Sequence, residues 1–444
     1  MVLAGACDHS AASVVWPISV FQGLRPRCRL PVLARRHWCA RAIMGKNIVI
    51  CCDGTGNQIE GNLSNVLKLF RILRKNADQR VYYNPGIGAI GTNDAWTRLT
   101  QNAKGVFELA TGYGLDDEIL GAYRFVAENH EPDDLLFLFG FSRGAYTVRA
   151  LAAFIHMVGL LPPDQLNIAN YALSAYKKTS EKGDFEPVWQ FGRVAGARPI
   201  IIDFLGAWDT VASVIVPRWD RCIPIPTLQM LPYTRRNSSV KVFRHAKAID
   251  EQRRFFRLNR WQDPQDFIAN PFAPDNTTPQ DIRQVWFAGT HTDIGGGHPE
   301  TCSGLSKYPL NWMIDEAVKY GLRIVATTRD HIALGQNAPG AREIFVAPDP
   351  AAPLHASMTA AWKPLEWIPK RTKYEEWKWR LKIDGFYIPD SEPRPFKLVD
   401  PFIGDEIEKP IPRIHQSVVD RIRLVPDYRP VNLPSEHDVE PWPH

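Results

Sequence analysis

Asp134-Leu135-Leu136-Phe137-Leu138-Phe139-Gly140-Phe141-Ser142-Arg143-Gly144-Ala145 is the stretch from which the rest of this chain is read. The apolar run Leu135 to Phe139 has the length of a strand, and an apolar helical pattern follows Ala145 to about Leu161. Between them stands a serine on a tight turn. A serine on a sharp strand-to-helix turn adopts strained backbone geometry, and a Cβ two residues before or after it would clash, hence Gly140 and Gly144. The turn lifts Ser142 off the carboxyl edge of a sheet, above the positive end of the next helix. A bare G-x-S-x-G is a common pattern, but strand before and helix after give it the context of a nucleophile elbow.

Outward from this turn, strands and helices alternate. Asn47 to Cys52 is an apolar run ending in Asp53-Gly54-Thr55-Gly56-Asn57, and Ser64 to Lys75 has helical spacing. Val81 to Tyr83 reads as a strand, Asp116 to Asn129 as an amphipathic helix, and Pro199 to Gly206 as a buried strand running into Trp208-Asp209-Thr210. Pro217 to Pro232 reads as a proline-rich, irregular insertion, and Val240 to Arg257 as helical. Val285 to Thr290 is a further strand, with His291-Thr292-Asp293-Ile294-Gly295-Gly296-Gly297 at its end. Strands that are apolar throughout, separated by helices, predict an α/β fold: an α/β-hydrolase-like, mostly parallel doubly wound sheet with an irregular C-terminal extension. The expected divisions are 1–43, an extension that is disordered or lies upstream of a working start at Met44; 44–327, a catalytic domain; and 328–444, a subdomain rich in Trp and Pro that packs on it.

Composition narrows the class. The chain has 444 residues, 45% hydrophobic and 23% charged, enough for one large core with an appended subdomain. Its net charge of +5 is spread along the length, which argues against a nucleic-acid partner. Seven cysteines without a C-x-x-C pair form neither a disulfide framework nor a zinc knuckle. No stretch reaches the length of a membrane span, and the first 43 residues, with six arginines and one acid, lack a basic region ahead of their apolar stretch. The expectation is a cytoplasmic protein without cofactor or metal.

Ser142, Asp209 and His291 thus stand at the carboxyl ends of three apolar strands, where open α/β sheets bind ligands. The order serine, acid, histidine is that of α/β-hydrolases. An imidazole can take the proton of a serine hydroxyl, and a carboxylate orients the imidazole. Asp293 is the alternate acid, and His415 and His245 are the alternate bases; His156, inside the helical pattern, reads as a satisfied core histidine. The loop at Asp53, Gly54 and Thr55 is expected to supply oxyanion donors together with the N–H of Arg143. Asp53-Gly54-Thr55 also evokes the D-x-D-G-T of metal-dependent haloacid-dehalogenase phosphatases, but Cys51 stands where the nucleophilic aspartate would be. A catalytically silent scaffold is the remaining alternative.

Five segments together resemble a known family: Cys52 to Asn57, Gly140 to Tyr146, Trp208 to Val211, Ala248 to Arg253 and Trp286 to Gly297, with weaker likeness at His355-Ala356-Ser357 and His415-Gln416-Ser417. The family is the catalytic module of the phospholipase effectors of type VI secretion. The resemblance covers about Lys46 to Thr327 and implies a serine esterase acting on a lipid, with phospholipid as the sharper version; a counterpart of the large membrane-binding module of the secreted effectors is not expected.

One more segment bears on the substrate. Between Lys363 and Lys382 there are seven basic residues against three acids, interleaved with Trp367, Trp377 and Trp379. Lys370, Arg371 and these aromatics would suit a lipid headgroup surface, so a lipid or other ester substrate and peripheral membrane contact are the expected partners. A lid packed on the core is the competing reading.

Overall fold

Isoleucine, valine and cysteine fill the first strand, β1 (Asn47–Cys52), and all six of its residues are buried. Such a strand needs cover on both faces. The structure, a computed structural model, describes residues 45–54, 62–86, 114–182, 185–211, 215–218, 225–228, 231–253, 256–269, 276–358, 362–367, 369–371, 381–388, 390–396 and 411–443. Their centre is an eight-stranded sheet in which every neighbouring pair is parallel. After β1 come β2 (Gln79–Asn84), β3 (Leu135–Phe141), β4 (Phe204–Trp208), β5 (Val242–Ala248), β6 (Asp281–Phe287), β7 (Arg413–His415) and β8 (Asp438–Glu440). Their spatial order is β8-β7-β6-β5-β4-β3-β1-β2.

Alternate side chains of the strands enter two apolar layers. Ile48, Ile50, Leu136, Leu138 and Leu205 pack with helices α1 (Leu115–Asn129) and α2 (Arg143–Val158). Val49, Phe137, Phe139, Phe204 and Trp208 pack against the opposite layer, which includes Val66, Leu69 and Ile72 of helix Asn65–Ile72 and Leu310, Trp312 and Met313 of helix Lys307–Lys319. Strand order reverses between β1 and β3, so the crevice at their carboxyl ends is where a doubly wound sheet binds a ligand. β1 ends before Asp53 and β3 before Ser142.

Three expectations change. Val240 to Arg257 is not a helix: Val242–Ala248 is strand β5, buried at all seven residues. Its basic side chains imitate a solvated helix face but are buried with partners, Arg244 on Glu316 at 2.6 Å and Lys247 over the Trp286 ring at 4.5 Å. The proline-rich insertion contains an antiparallel pair, Ile215–Arg218 with Ile225–Leu228. The division at 327 does not separate a subdomain from the sheet, because β7 pairs with β6 and β8 with β7. Among the described residues, no helix is long and apolar enough to cross a membrane.

Candidate active site

At the end of β3 the backbone turns sharply into α2. Ser142 occupies the turn with φ 56° and ψ −118°, a conformation that costs a non-glycine residue of order 1–3 kcal/mol. Gly140 and Gly144 make it feasible: a Cβ on Gly140 would collide with the carbonyl of Gly144, and one on Gly144 with the carbonyl of Cys52. β1, β3 and α2 therefore meet with no room for side chains beneath the serine.

On the adjacent strand, β4 ends just before Asp209, which also has positive φ, 39°, a region aspartate tolerates better than most residues. Beyond β6, His291 is the first residue of a five-residue helix, α3 (His291–Gly295), capped by a reciprocal pair in which Thr290 and Asp293 bond each other's backbone. The strand ends bring the three side chains together. His291 Nε2 lies 2.7 Å from Ser142 Oγ, and His291 Nδ1 lies 2.5 Å from Asp209 Oδ2. The imidazole is held between the rings of Phe141 and Phe256, at 4.7 and 4.8 Å between centroids. A Cβ on Gly295 would strike the Phe141 ring, so this glycine lets the helix approach.

Electrostatics define each group. Burial would raise the pKa of Asp209, but Arg394 and His291 hold its carboxyl well below the usual carboxylate range. Arg394 grips it with two nitrogens, Nη1 at 2.6 Å from Oδ1 and Nη2 at 3.0 Å from Oδ2. The N–H of Ala248 donates to Oδ1 at 2.9 Å. Burial pushes His291 below its ordinary value, against the opposing pull of Asp209. Glu251 accepts from the His291 N–H at 3.2 Å and is itself tied to Arg253 at 2.9 Å, which fixes the start of α3. The arrangement can move a proton from a serine hydroxyl to an imidazole whose tautomer a carboxylate dictates.

The other sequence candidates lie elsewhere. Asp293 caps its own helix and binds His355. His415 caps helix α4 (Gln416–Leu424), accepting from the N–H of Ser417 at 3.1 Å. His245 is buried and accepts from the N–H of Thr210 at 3.1 Å, bracing the turn at Asp209. His156 contacts Ser239 at 2.7 Å, as expected of a satisfied histidine.

The oxyanion loop needs correction at one donor. The Gly54 N–H donates to Asp53 Oδ1 at 2.7 Å, and the buried Asp53 also accepts from Tyr83 at 2.9 Å and from Ser64. Asp53 is thus a structural acceptor that consumes Gly54, and Thr55 lies outside the described residues. The Arg143 N–H, at the first position of α2, has no acceptor within its helix. The Arg143 guanidinium turns away to Glu118 at 2.9 Å.

Trp367 is 64% exposed. Lys370 and Arg371 form a short strand paired with Phe386 and Tyr387, and Trp377 and Trp379 lie outside the described residues. Among the described residues, Asp293, His298 and His355 form a group whose ligand atoms lie within 4.8 Å of one another and could hold a metal.

Sequence reasoning missed Arg394. It belongs to a proline-flanked, patternless stretch, and nothing in its neighbours marks it. Glu251 and Arg253 were visible only as part of a family segment.

Residues 46–316 match the model of a family described as type VI secretion (T6SS), phospholipase effector Tle1-like, catalytic domain. An uncharacterized protein of Saccharomyces cerevisiae, YEL023C, is 31% identical over 63% of this chain, which spans 58% of that relative's length. Two solved structures are similar in part. One is an uncharacterized protein from Pseudomonas aeruginosa, 21% identical with a TM-score of 0.37, over 65% of this chain and 48% of the other. The second is the Tle1 effector bound to the VgrG spike, 22% identical with a TM-score of 0.30, over 59% of this chain and 53% of the other.

Proposed function

For a chain that belongs to the Tle1-like phospholipase effector catalytic-domain family, we propose a serine esterase of the α/β-hydrolase type that cleaves a carboxylic ester of a phospholipid. One observation carries the reading: Ser142, on a strained turn at the end of β3, shares a 2.7 Å contact with His291, which shares a 2.5 Å contact with the buried Asp209. That arrangement supports reading the turn as a nucleophile elbow with His291 as its base and Asp209 as its acid.

In the reaction, Ser142 Oγ attacks the ester carbonyl while His291 Nε2 takes its proton. Asp209 keeps the Nδ1 proton in place and stabilises the imidazolium. The N–H of Arg143, at the positive end of α2, holds the oxyanion. His291 then gives its proton to the leaving alcohol, and water releases the acid by the same steps. Arg394 keeps Asp209 ionised and fixed.

A fluorophosphonate probe tests this, because it needs both the activated serine and the oxyanion donor. It should label Ser142 in the folded protein, with no labelling of Ser142→Ala, and hydrolysis of a phospholipid should survive EDTA. A folded protein that ignores the probe would sink the serine-esterase reading.

The substrate class is tested on vesicles. Trp367 and the basic residues Lys370 and Arg371 would meet an anionic headgroup surface, where each cation contributes ~1 kcal/mol. Lys370→Gln with Arg371→Gln should lower turnover of lipid in anionic vesicles and leave a short soluble ester nearly untouched. Equal loss on both substrates would make the segment part of the fold.

A further inference from the structure

Outside the site of Ser142, a second nucleophile among the described residues stands in line with a histidine and an acid. Cys302 Sγ lies 3.3 Å from His355 Nε2, and His355 Nδ1 lies 2.6 Å from Asp293 Oδ1. The pattern repeats that of Ser142, His291 and Asp209: nucleophile on Nε2, carboxylate on Nδ1. Both assemblies use α3, which carries His291 on one side and Asp293 on the other.

The histidine is fixed as a base should be. Asp293 is buried, and its second oxygen accepts from the N–H and hydroxyl of Thr290 at 2.9 and 3.1 Å and from the His355 N–H at 3.3 Å. His298 stacks on the His355 ring at 3.5 Å between centroids and 12° between planes. Cys302 is half-buried, unlike the fully enclosed Cys51 and Cys52. The Cys302 S–H donates to the Pro299 carbonyl at 3.3 Å, and rotation about the Cβ–Sγ bond turns the same proton to His355 Nε2 at an equal distance.

We propose that Cys302, His355 and Asp293 form a second nucleophile site, a thiol set for reversible exchange with small disulfides. His355 Nε2 takes the thiol proton, and the Cys302 sulfur attacks one sulfur of the disulfide. A new S–S bond joins Cys302 to that half as the old S–S bond breaks, and the departing thiolate receives the proton. Cys302 is oxidised to a mixed disulfide while the other half of the reagent is reduced to a free thiol. Excess thiol reverses the step. A nucleophile within reach of a base oriented by a third group has the general form of an activated side chain, and the thiolate is the reacting species in exchange.

The test uses the full chain and oxidised glutathione, followed by mass mapping of the peptide that contains Cys302. The folded protein should gain a glutathione on Cys302, removed by dithiothreitol and absent in Cys302→Ser. His355→Gln should slow the modification about a hundredfold or more, the lower end of what a positioned base contributes. Should His355→Gln not fold, the wild type in urea replaces it: Cys302 must react faster in the folded chain than unfolded, although folding half-buries it. Equal rates in wild type and His355→Gln, or a folded chain slower than the unfolded one, overturn the proposal. So does modification that appears only after EDTA, which would reassign Asp293, His298 and His355 to a metal.

Discussion

Asp209 and Asp293 are both buried, the first at the end of β4 and the second within α3, and each receives a histidine Nδ1. What distinguishes them is the rest of their surroundings. Asp209 takes a two-nitrogen grip from Arg394 and one backbone N–H, and it faces the histidine that faces Ser142. Asp293 spends one oxygen on capping α3 and gives the other to His355. The lesson is that a carboxylate's role follows from the donors around it more than from its distance along the chain to a histidine. The same holds for the bases: His415 and His245 accept from backbone N–H groups and so serve as caps and braces.

The largest effect that could break this contrast comes from Asp209→Asn. An amide in place of the carboxylate leaves His291 in the wrong tautomer and should cost about 10³- to 10⁴-fold in kcat on a soluble ester. If Asp293→Asn proved the deader of the two, the assignment of acids would be reversed.

Next in size is Arg394→Met. Removing one partner of a buried ion pair leaves the other charge unsolvated, so the protein should lose about 3–5 kcal/mol of stability in urea unfolding. Activity carries a second readout. His291 serves as base only when neutral, and burial lowers its pKa, so the acid limb of kcat/KM for the wild type should lie below 6.5, the ordinary imidazole value. Without the Arg394 cation the field of Asp209 acts on the imidazole unopposed and favours its charged form. The limb should therefore move to higher pH in Arg394→Met, and Arg394→Lys should fall between the two. A limb that stays in place would reduce Arg394 to a structural strut.

The smallest effect is expected for Asp293→Asn. It weakens one helix cap, worth about 1 kcal/mol, and should lower hydrolysis far less than Asp209→Asn while slowing glutathione uptake at Cys302. Loss of hydrolysis comparable to Asp209→Asn would show that the two sites on α3 are not separable.

Local rules made much of this protein readable from its residues. The apolar run from Leu135 to Phe139, the two glycines around Ser142 and the helix beyond are near neighbours in sequence, and steric exclusion between neighbours leaves few alternatives. The alternation of buried strand and helix gave the parallel sheet for the same reason, and with it the strand ends that carry Ser142, Asp209 and His291. Val242–Ala248 escaped because its basic residues look solvated until Glu316 and Trp286 are placed against them. The choice among two acids and three bases lay beyond local rules, since it depends on which donors reach each side chain. Arg394 reaches Asp209 across 185 residues of sequence, and His355 reaches Asp293 across 62. Hydrogen bonds of that span carry no periodicity and no spacing, so only the folded chain, which brings their partners within 3 Å, decides them.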